Sequence, residues 1–177
     1  GPCAYSEESF LRSLKIPKNL KIGIMINASD FVGHKDIIDL AKKNFRPKKN
    51  SVISLVRLAC HHFEVEDILP LVSWLKKSGY KVAINIMQIP ELSFREIRNT
   101  VKTIKKTRAD ILYFADSMGS LDALKTKKII HQIKSLWNKS TGIHTHDNMG
   151  KALENSIVAI NNSVNWIDCT VTGMGRG

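Results

Sequence analysis

The constraint that narrows the fold most is a beat. Apolar, β-branched runs recur along the chain: LKIGIMINAS from Leu20, SVISLVRLAC from Ser51, YKVAINIMQI from Tyr80, ADILYFADS from Ala109, TGIHTH from Thr141 and NWIDCTVTG from Asn165. Successive starts are 31, 29, 29, 32 and 24 residues apart. Each run is short, mostly apolar and rich in Ile and Val, as strands buried on both faces are. The gaps read as helices. Ser93 and Glu96 form a capping box ahead of Ile97, Val101 and Ile104 on one helical face. Ile68, Val72 and Leu75 stripe a helix that stops at Gly79, with Pro70 tolerated near its first turn. Ile130, Ile133 and Trp137 give the next stripe, and Leu153, Ile157 and Ile160 the last. Ser6 to Leu14 reads as the tail of an earlier helix.

Strand and helix alternating at one spacing predict right-handed βαβ units and an α/β fold with a parallel sheet. The length, 177 residues, fits a single domain over residues 1–177. Two architectures are compatible. A doubly wound open sheet is complete with six strands, whereas a TIM (β/α)8 barrel takes about 250 residues and eight strands. The helix tail at the start, the bare strand at the end and the Gly1-Pro2 opening without Met predict a piece cut from something longer.

Composition removes several function classes. The net charge of +11 invites an acidic partner. However, the lysine pairs at 42–43, 76–77, 105–106 and 127–128 fall in or at the ends of predicted helices, and the pair at 48–49 lies in a predicted loop. No aromatic residues interleave with them, so they read as solvated surface, not as a nucleic-acid interface. The surplus still gives a field that attracts small anions. No apolar run approaches the eighteen or so residues of a membrane helix. The cysteines, Cys3, Cys60 and Cys169, are odd in number and far apart, which argues for a reducing, cytoplasmic compartment and against a disulfide framework.

In both architectures ligands bind at the carboxyl ends of the strands. Polar groups crowd there: Asn27 to Asp30, Arg57 to His62, Asn85 to Gln88, Asp116 to Gly119, His144 to Asn148 and Thr172 to Gly177. Residues i and i+2 of a strand share a face, so His144 and His146 project together and can chelate one cation, while Thr145 points toward the helices. One or two further oxygen ligands would complete a site for Mn²⁺, Mg²⁺, Co²⁺ or Zn²⁺. The alternative is a chance pairing at a wet strand edge. Asp147 and Asn148 fit a cap on the next helix. His61 and His62 are adjacent, so at most one points inward. GMGRG supplies open backbone N–H groups at Gly173, Gly175 and Gly177, suited to an anion or a tight turn. Asp116-Ser117 offers a carboxylate and a hydroxyl, or a turn closed on its own hydrogen bonds.

Taken together, GIHTHDNMGKALENSIVAI followed by WIDCTVTGMGRG resembles the last part of the metal-dependent aldolase and Claisen-condensing barrels, the HMG-CoA-lyase-like or DRE-TIM metallolyase superfamily. ILYFADSMGSL, VRLACHHFEVEDI and NIMQ match the preceding strands in order and spacing, and the nearest branch is that of the 4-hydroxy-2-oxovalerate aldolases. The resemblance covers nearly the whole chain. It implies a partial TIM barrel of about six of eight strands, lacking N-terminal strands and the C-terminal helix. It implies that His144 and His146 ligate a divalent cation, usually Mn²⁺ or Mg²⁺, and that the Asp116-Ser117 turn contacts substrate. Arg57 and His62 join Asp116 and Ser117 as candidate catalytic groups. The family's first strand carries an Arg-Asp pair with a metal-ligating Asp, and this sequence holds none.

The implied activity is retro-aldol cleavage of a 4-hydroxy-2-keto acid to pyruvate and an aldehyde, with the fragment inactive alone. A Claisen-type acyltransferase or a carboxyltransferase on the same barrel is one alternative, and a non-catalytic binding or assembly piece is the other. The expected partners are a small 2-keto acid and either another copy or a partner domain.

Overall fold

The computed structural model describes residue 5 and residues 7–170. Every apolar run yields a strand: β1 (Ile22–Asn27), β2 (Ile53–Cys60), β3 (Lys81–Ile86), β4 (Ile111–Ala115), β5 (Ser140–His144) and β6 (Trp166–Ile167). Helices α1 (Glu8–Ser13), α2 (Ile37–Asn44), α3 (Leu69–Lys77), α4 (Phe94–Lys105), α5 (Ala123–Lys134) and α6 (Ala152–Asn161) lie between and before them. All strand pairs are parallel, and the order across the sheet is β1-β2-β3-β4-β5-β6. That order decides between the two architectures. A doubly wound sheet reverses direction at a switch point, whereas here each right-handed crossover steps the same way and puts its helix on the same face. The fold is a curled, partial TIM barrel.

Local sequence explains the elements. The Ser93 hydroxyl accepts a hydrogen bond from the Glu96 N–H, and the Glu96 carboxylate accepts from the Ser93 N–H at 2.8 Å, so α4 starts where the capping box places it. Pro70 falls in the first turn of α3, and Gly79 takes the positive φ of 95° that ends it. Asp122 and Asp36 cap α5 and α2 through side-chain oxygens.

Strand alternation then separates two interiors. Val56, Leu58, Val82, Ile84, Leu112, Phe114 and Ile143 face the helices and form the main core. The opposite, concave face holds a smaller cluster of Ala83, Ile111 and Tyr113, with Leu55 and Trp166 beside it. Curvature is visible in single contacts. Neighbouring strands lie about 4.8 Å apart, so residues four strands apart in a flat sheet are roughly 19 Å distant. Yet Arg57 of β2 and Asp168, just past β6, form a 2.7 Å ion pair across the concave face. Lys81 of β3 likewise lies 4.7 Å from the ring centre of Trp166 in β6.

Two expectations change. The stripe Leu153, Ile157 and Ile160 does not face the core: these residues are exposed, and α6 buries Asn155 and Ala159 instead. Asn155 donates from its amide to the Leu121 carbonyl at 2.8 Å and accepts from Thr126, so a polar lock on α5 sets the rotation of α6. The last strand is also shorter than its run, stopping at Ile167.

Candidate functional site

The concave face carries its polar groups toward the carboxyl ends of the strands. His144 is the last residue of β5, and His146 follows it in the loop. Their rings pack edge to face with centroids 4.9 Å apart. Thr145, between them, points to the helix layer, its hydroxyl 3.4 Å from that of Ser156 in α6. Asp147 accepts a 2.8 Å hydrogen bond from the Ala152 N–H and so caps α6.

Asp168 organises the neighbourhood. Its Oδ2 lies 2.7 Å from His144 Nδ1 and accepts a 2.7 Å hydrogen bond from Arg57 Nη1. Burial raises the carboxyl's pKa, but the hydrogen bond to His144 and the Arg57 charge outweigh it and leave the group below its ordinary value. Asp168 is therefore a carboxylate at neutral pH. The Arg57 guanidinium in turn sits 4.6 Å from the centre of the Tyr113 ring. Burial, then the nearby Asp168 charge, pushes the Tyr113 phenol up to about 12, so it stays protonated. The ring's position depends on a gap in β5: a Cβ at Gly142 would come within 2.4 Å of it. Asn85, on the concave face of β3, is 4% exposed.

The other candidate residues sort by environment. Asp116 is fully buried, and its carboxylate accepts from the Ser120 and Leu121 N–H groups at 2.9 and 3.1 Å, shaping the β4–α5 turn. Its own N–H extends the β4–β5 pairing to the His144 carbonyl at 2.9 Å. Ser117 Oγ accepts from the Gln88 N–H at 3.0 Å, which ties this turn to a left-handed residue (φ 53°) after β3. Gly119 also has positive φ, and a Cβ there would strike the Asn148 Oδ1 at 2.5 Å, so the β4 and β5 loops meet backbone to side chain. Arg57 lies mid-strand on the concave face and joins the histidine cluster. His62 turns toward α4, where its Nε2 lies 3.8 Å from Glu96. Gly173, Gly175 and Gly177 lie outside the described residues.

Asp168 and Tyr113 are the groups that sequence reasoning passed over. Sequence reasoning places the functional end of the sixth run at Thr172 to Gly177, whereas the described strand is Trp166–Ile167 and residues 171–177 lie outside the described residues. The signal for Asp168 was parity: two residues after the inward Trp166, it repeats at β6 the placement of His144 at β5.

The histidine pair suits a divalent cation in donor type and spacing. An imidazole whose Nδ1 is held by a carboxylate presents Nε2 outward, the usual arrangement behind a metal-ligating histidine. Among the described residues no group of three or more His, Cys, Asp or Glu side chains converges as a metal site. The pair offers two candidate ligands, and Asp168 holds the first ring at its Nδ1.

Sequential parallel strands, a curled sheet and a concave polar face define a segment of a (β/α)8-type barrel. The chain belongs to the HMGL-like family, whose model matches residues 21–177. Members of that family are generally dependent on a divalent metal. A 4-hydroxy-2-oxovalerate aldolase from Carboxydothermus hydrogenoformans is 25% identical over 178 residues, covering 100% of this chain and 50% of that protein. The N-terminal domain of a candidate aldolase from Bacteroides vulgatus superposes with a TM-score of 0.76 at 27% identity, over 98% of this chain and 56% of that one. The carboxyl transferase domain of Rhizobium etli pyruvate carboxylase shares the fold, with a TM-score of 0.71 at 18% identity over 87% of this chain and 27% of that one. The chain spans about half the length of the curated relatives it matches. Among the described residues no helix is long and apolar enough to cross a membrane.

Proposed function

We propose that this chain is part of a divalent-metal-dependent aldolase that cleaves a 4-hydroxy-2-keto acid into pyruvate and an aldehyde. The carrying observation is the His144–His146 pair, rings 4.9 Å apart, with the first imidazole anchored by Asp168 at the carboxyl end of the strands. The similarity to a 4-hydroxy-2-oxovalerate aldolase supplies the substrate class. A 2-keto acid is an anion, which the protein's net charge of +11 attracts.

His144 and His146 would hold the cation, with Mn²⁺ or Mg²⁺ preferred and Co²⁺ or Zn²⁺ as alternatives. When bound, such a cation supplies Lewis acidity toward the keto acid's carbonyl and carboxylate. The remaining work falls to side chains. Arg57 spends Nη1 on Asp168, and on this reading another of its N–H donors meets a substrate carboxylate on the concave face. Tyr113 keeps its proton and backs the guanidinium with an apolar ring. The hydroxyl proton of Ser117 is available because Oγ acts as acceptor for Gln88. The buried Asp116 carboxylate holds that turn in place through two backbone N–H groups. On this reading the glycines 173, 175 and 177 bind an anionic part of the substrate, and further strands complete the barrel.

The test uses the full-length protein. Mn²⁺ is titrated in, and pyruvate release from a 4-hydroxy-2-keto acid is followed. His146→Ala is expected to weaken Mn²⁺ binding and abolish turnover. Unchanged binding and turnover in that variant would overturn the proposal, and an absolute requirement for a thioester or a biotinyl substrate would move the chain to the condensing or carboxyl-transferring branch.

A further inference from the structure

We propose that Asp168, fixed by Arg57, is the positioning residue that sets the tautomer of His144 and aims its Nε2 at the cation. The inference deepens the metal-site reading above and rests on it.

The argument begins with a shared oxygen. Asp168 Oδ2 is 2.7 Å from both Arg57 Nη1 and His144 Nδ1. An arginine is a permanent donor, so the carboxylate is a permanent acceptor at that oxygen. A neutral imidazole facing it must carry its proton on Nδ1, because a bare Nδ1 would set lone pair against lone pair. Nε2 is then left with the lone pair, the form a cation requires.

The carboxylate itself needs fixing. It lies just past β6, a strand of two residues, where its N–H donates to the Ile143 carbonyl at 3.2 Å; the backbone is tied to β5, and the carboxylate needs its own support against rotation. Arg57 supplies that support from β2, four strands away around the curl. The Arg57 guanidinium lies over the Tyr113 ring, 4.6 Å from its centre, and that ring occupies the space left by Gly142. A sequence of contacts from Gly142 to Tyr113, Arg57, Asp168 and His144 thus begins and ends on β5. It orients a residue at the strand's tip from a vacancy in its middle.

The test is spectroscopic and needs no turnover. Long-range ¹H–¹⁵N correlation of the metal-free, full-length protein, at a pH where His144 is neutral, reads the tautomer directly. The wild type is expected in the Nδ1–H form. Asp168→Ala is expected to move His144 toward the Nε2–H form that an unconstrained histidine side chain favours and to weaken Mn²⁺ binding about 10- to 100-fold. Because this variant strands the Arg57 charge, the double variant Asp168→Ala/Arg57→Met removes both partners and should give the same tautomer shift. A wild-type His144 in the Nε2–H form overturns the proposal whether or not any variant folds. So does a double variant that keeps the wild-type tautomer and Mn²⁺ affinity. A wild type in the Nδ1–H form that takes up no Mn²⁺ supports the hold of Asp168 on the ring and overturns the aldolase reading instead.

Discussion

Phe114 of β4 is completely buried, whereas Met25 of β1 keeps 53% of its surface exposed, although both are large apolar residues in one sheet. The helices repeat the contrast. Ile97, Val101 and Ile104 on α4 are at most 2% exposed, while Leu153, Ile157 and Ile160 on α6 are 74, 49 and 57% exposed at closely similar helical spacing. The middle of the sheet, β2 to β4, has a strand on each side and helices over it. The β1 margin has neither on its free side, and its burial alternates residue by residue. A groove of about 760 Å³, lined by Ile24, Ile26, Leu40 and Phe45, runs along that margin. Hydrophobic pattern states which side chains can be buried, and neighbours decide which are. The margins of this barrel segment carry a core's residues without the neighbours.

The sharpest way to break this comparison is to empty each region in turn. Phe114→Ala should cost about 3–5 kcal/mol, because the fully buried ring leaves a cavity that the surrounding strands cannot collapse. Met25→Ala should stay within about 0.5 kcal/mol, as for other exposed positions. Urea unfolding of the two variants measures both, and equal losses would show that the margin is as well packed as the middle.

Gly142→Ala comes next. β5 lies between the middle and the β6 margin, and the added methyl would drive into the Tyr113 ring at 2.4 Å. Overpacking of this kind costs about 1–3 kcal/mol. Tyr113→Leu in the same background should recover part of the loss, and no recovery would place the strain elsewhere.

The fold was legible to the extent that burial follows local pattern. Six β-branched runs gave six strands, and the capping box placed the start of α4, because these signals act over a few residues. The barrel was separated from the open sheet only by strand order, which no local signal encodes. The outward turn of α6 was illegible for the same reason: the rotation is fixed by Asn155 reaching Leu121, 34 residues away. At the site, the juxtaposition of His144 and His146 followed from strand parity, whereas the Arg57–Asp168 contact spans 111 residues and depends on curl. The buried hydrogen bonds of Asp116 were one of two readings left open, since a turn carboxylate and a substrate-facing one look alike in sequence.

A smaller effect tests the local signals themselves. Ser93→Ala removes the cap of α4 and should cost about 1 kcal/mol by thermal unfolding. It also changes the pH response. The hydrogen bonds from Ser93, side chain before backbone, hold the Glu96 carboxyl below its ordinary value of 4.5. A depressed folded-state pKa means stabilisation that is complete above the unfolded value and disappears as pH falls through the folded one. The variant should therefore lose less stability than the wild type on acidification below pH 4.5. Parallel acid titrations of the two proteins would refute the capping account.

The least costly substitutions bear most directly on the margins. Leu153→Gln, Ile157→Gln and Ile160→Gln each replace an exposed apolar side chain, so in the 177-residue chain each should change unfolding free energy by no more than about 0.5 kcal/mol. The same stripe should nevertheless make the isolated chain self-associate, and the triple variant should sediment as a smaller species than the wild type at equal concentration. If further elements cover α6 in a full-length protein, these positions become core there, and the same substitutions should cost about 2–5 kcal/mol each. The contrast between the two contexts isolates the neighbour from the residue. A wild-type chain that sediments as a monomer at high concentration, with costs below 1 kcal/mol in both contexts, would mean that this face of α6 is ordinary surface and that the margin lies only at β1.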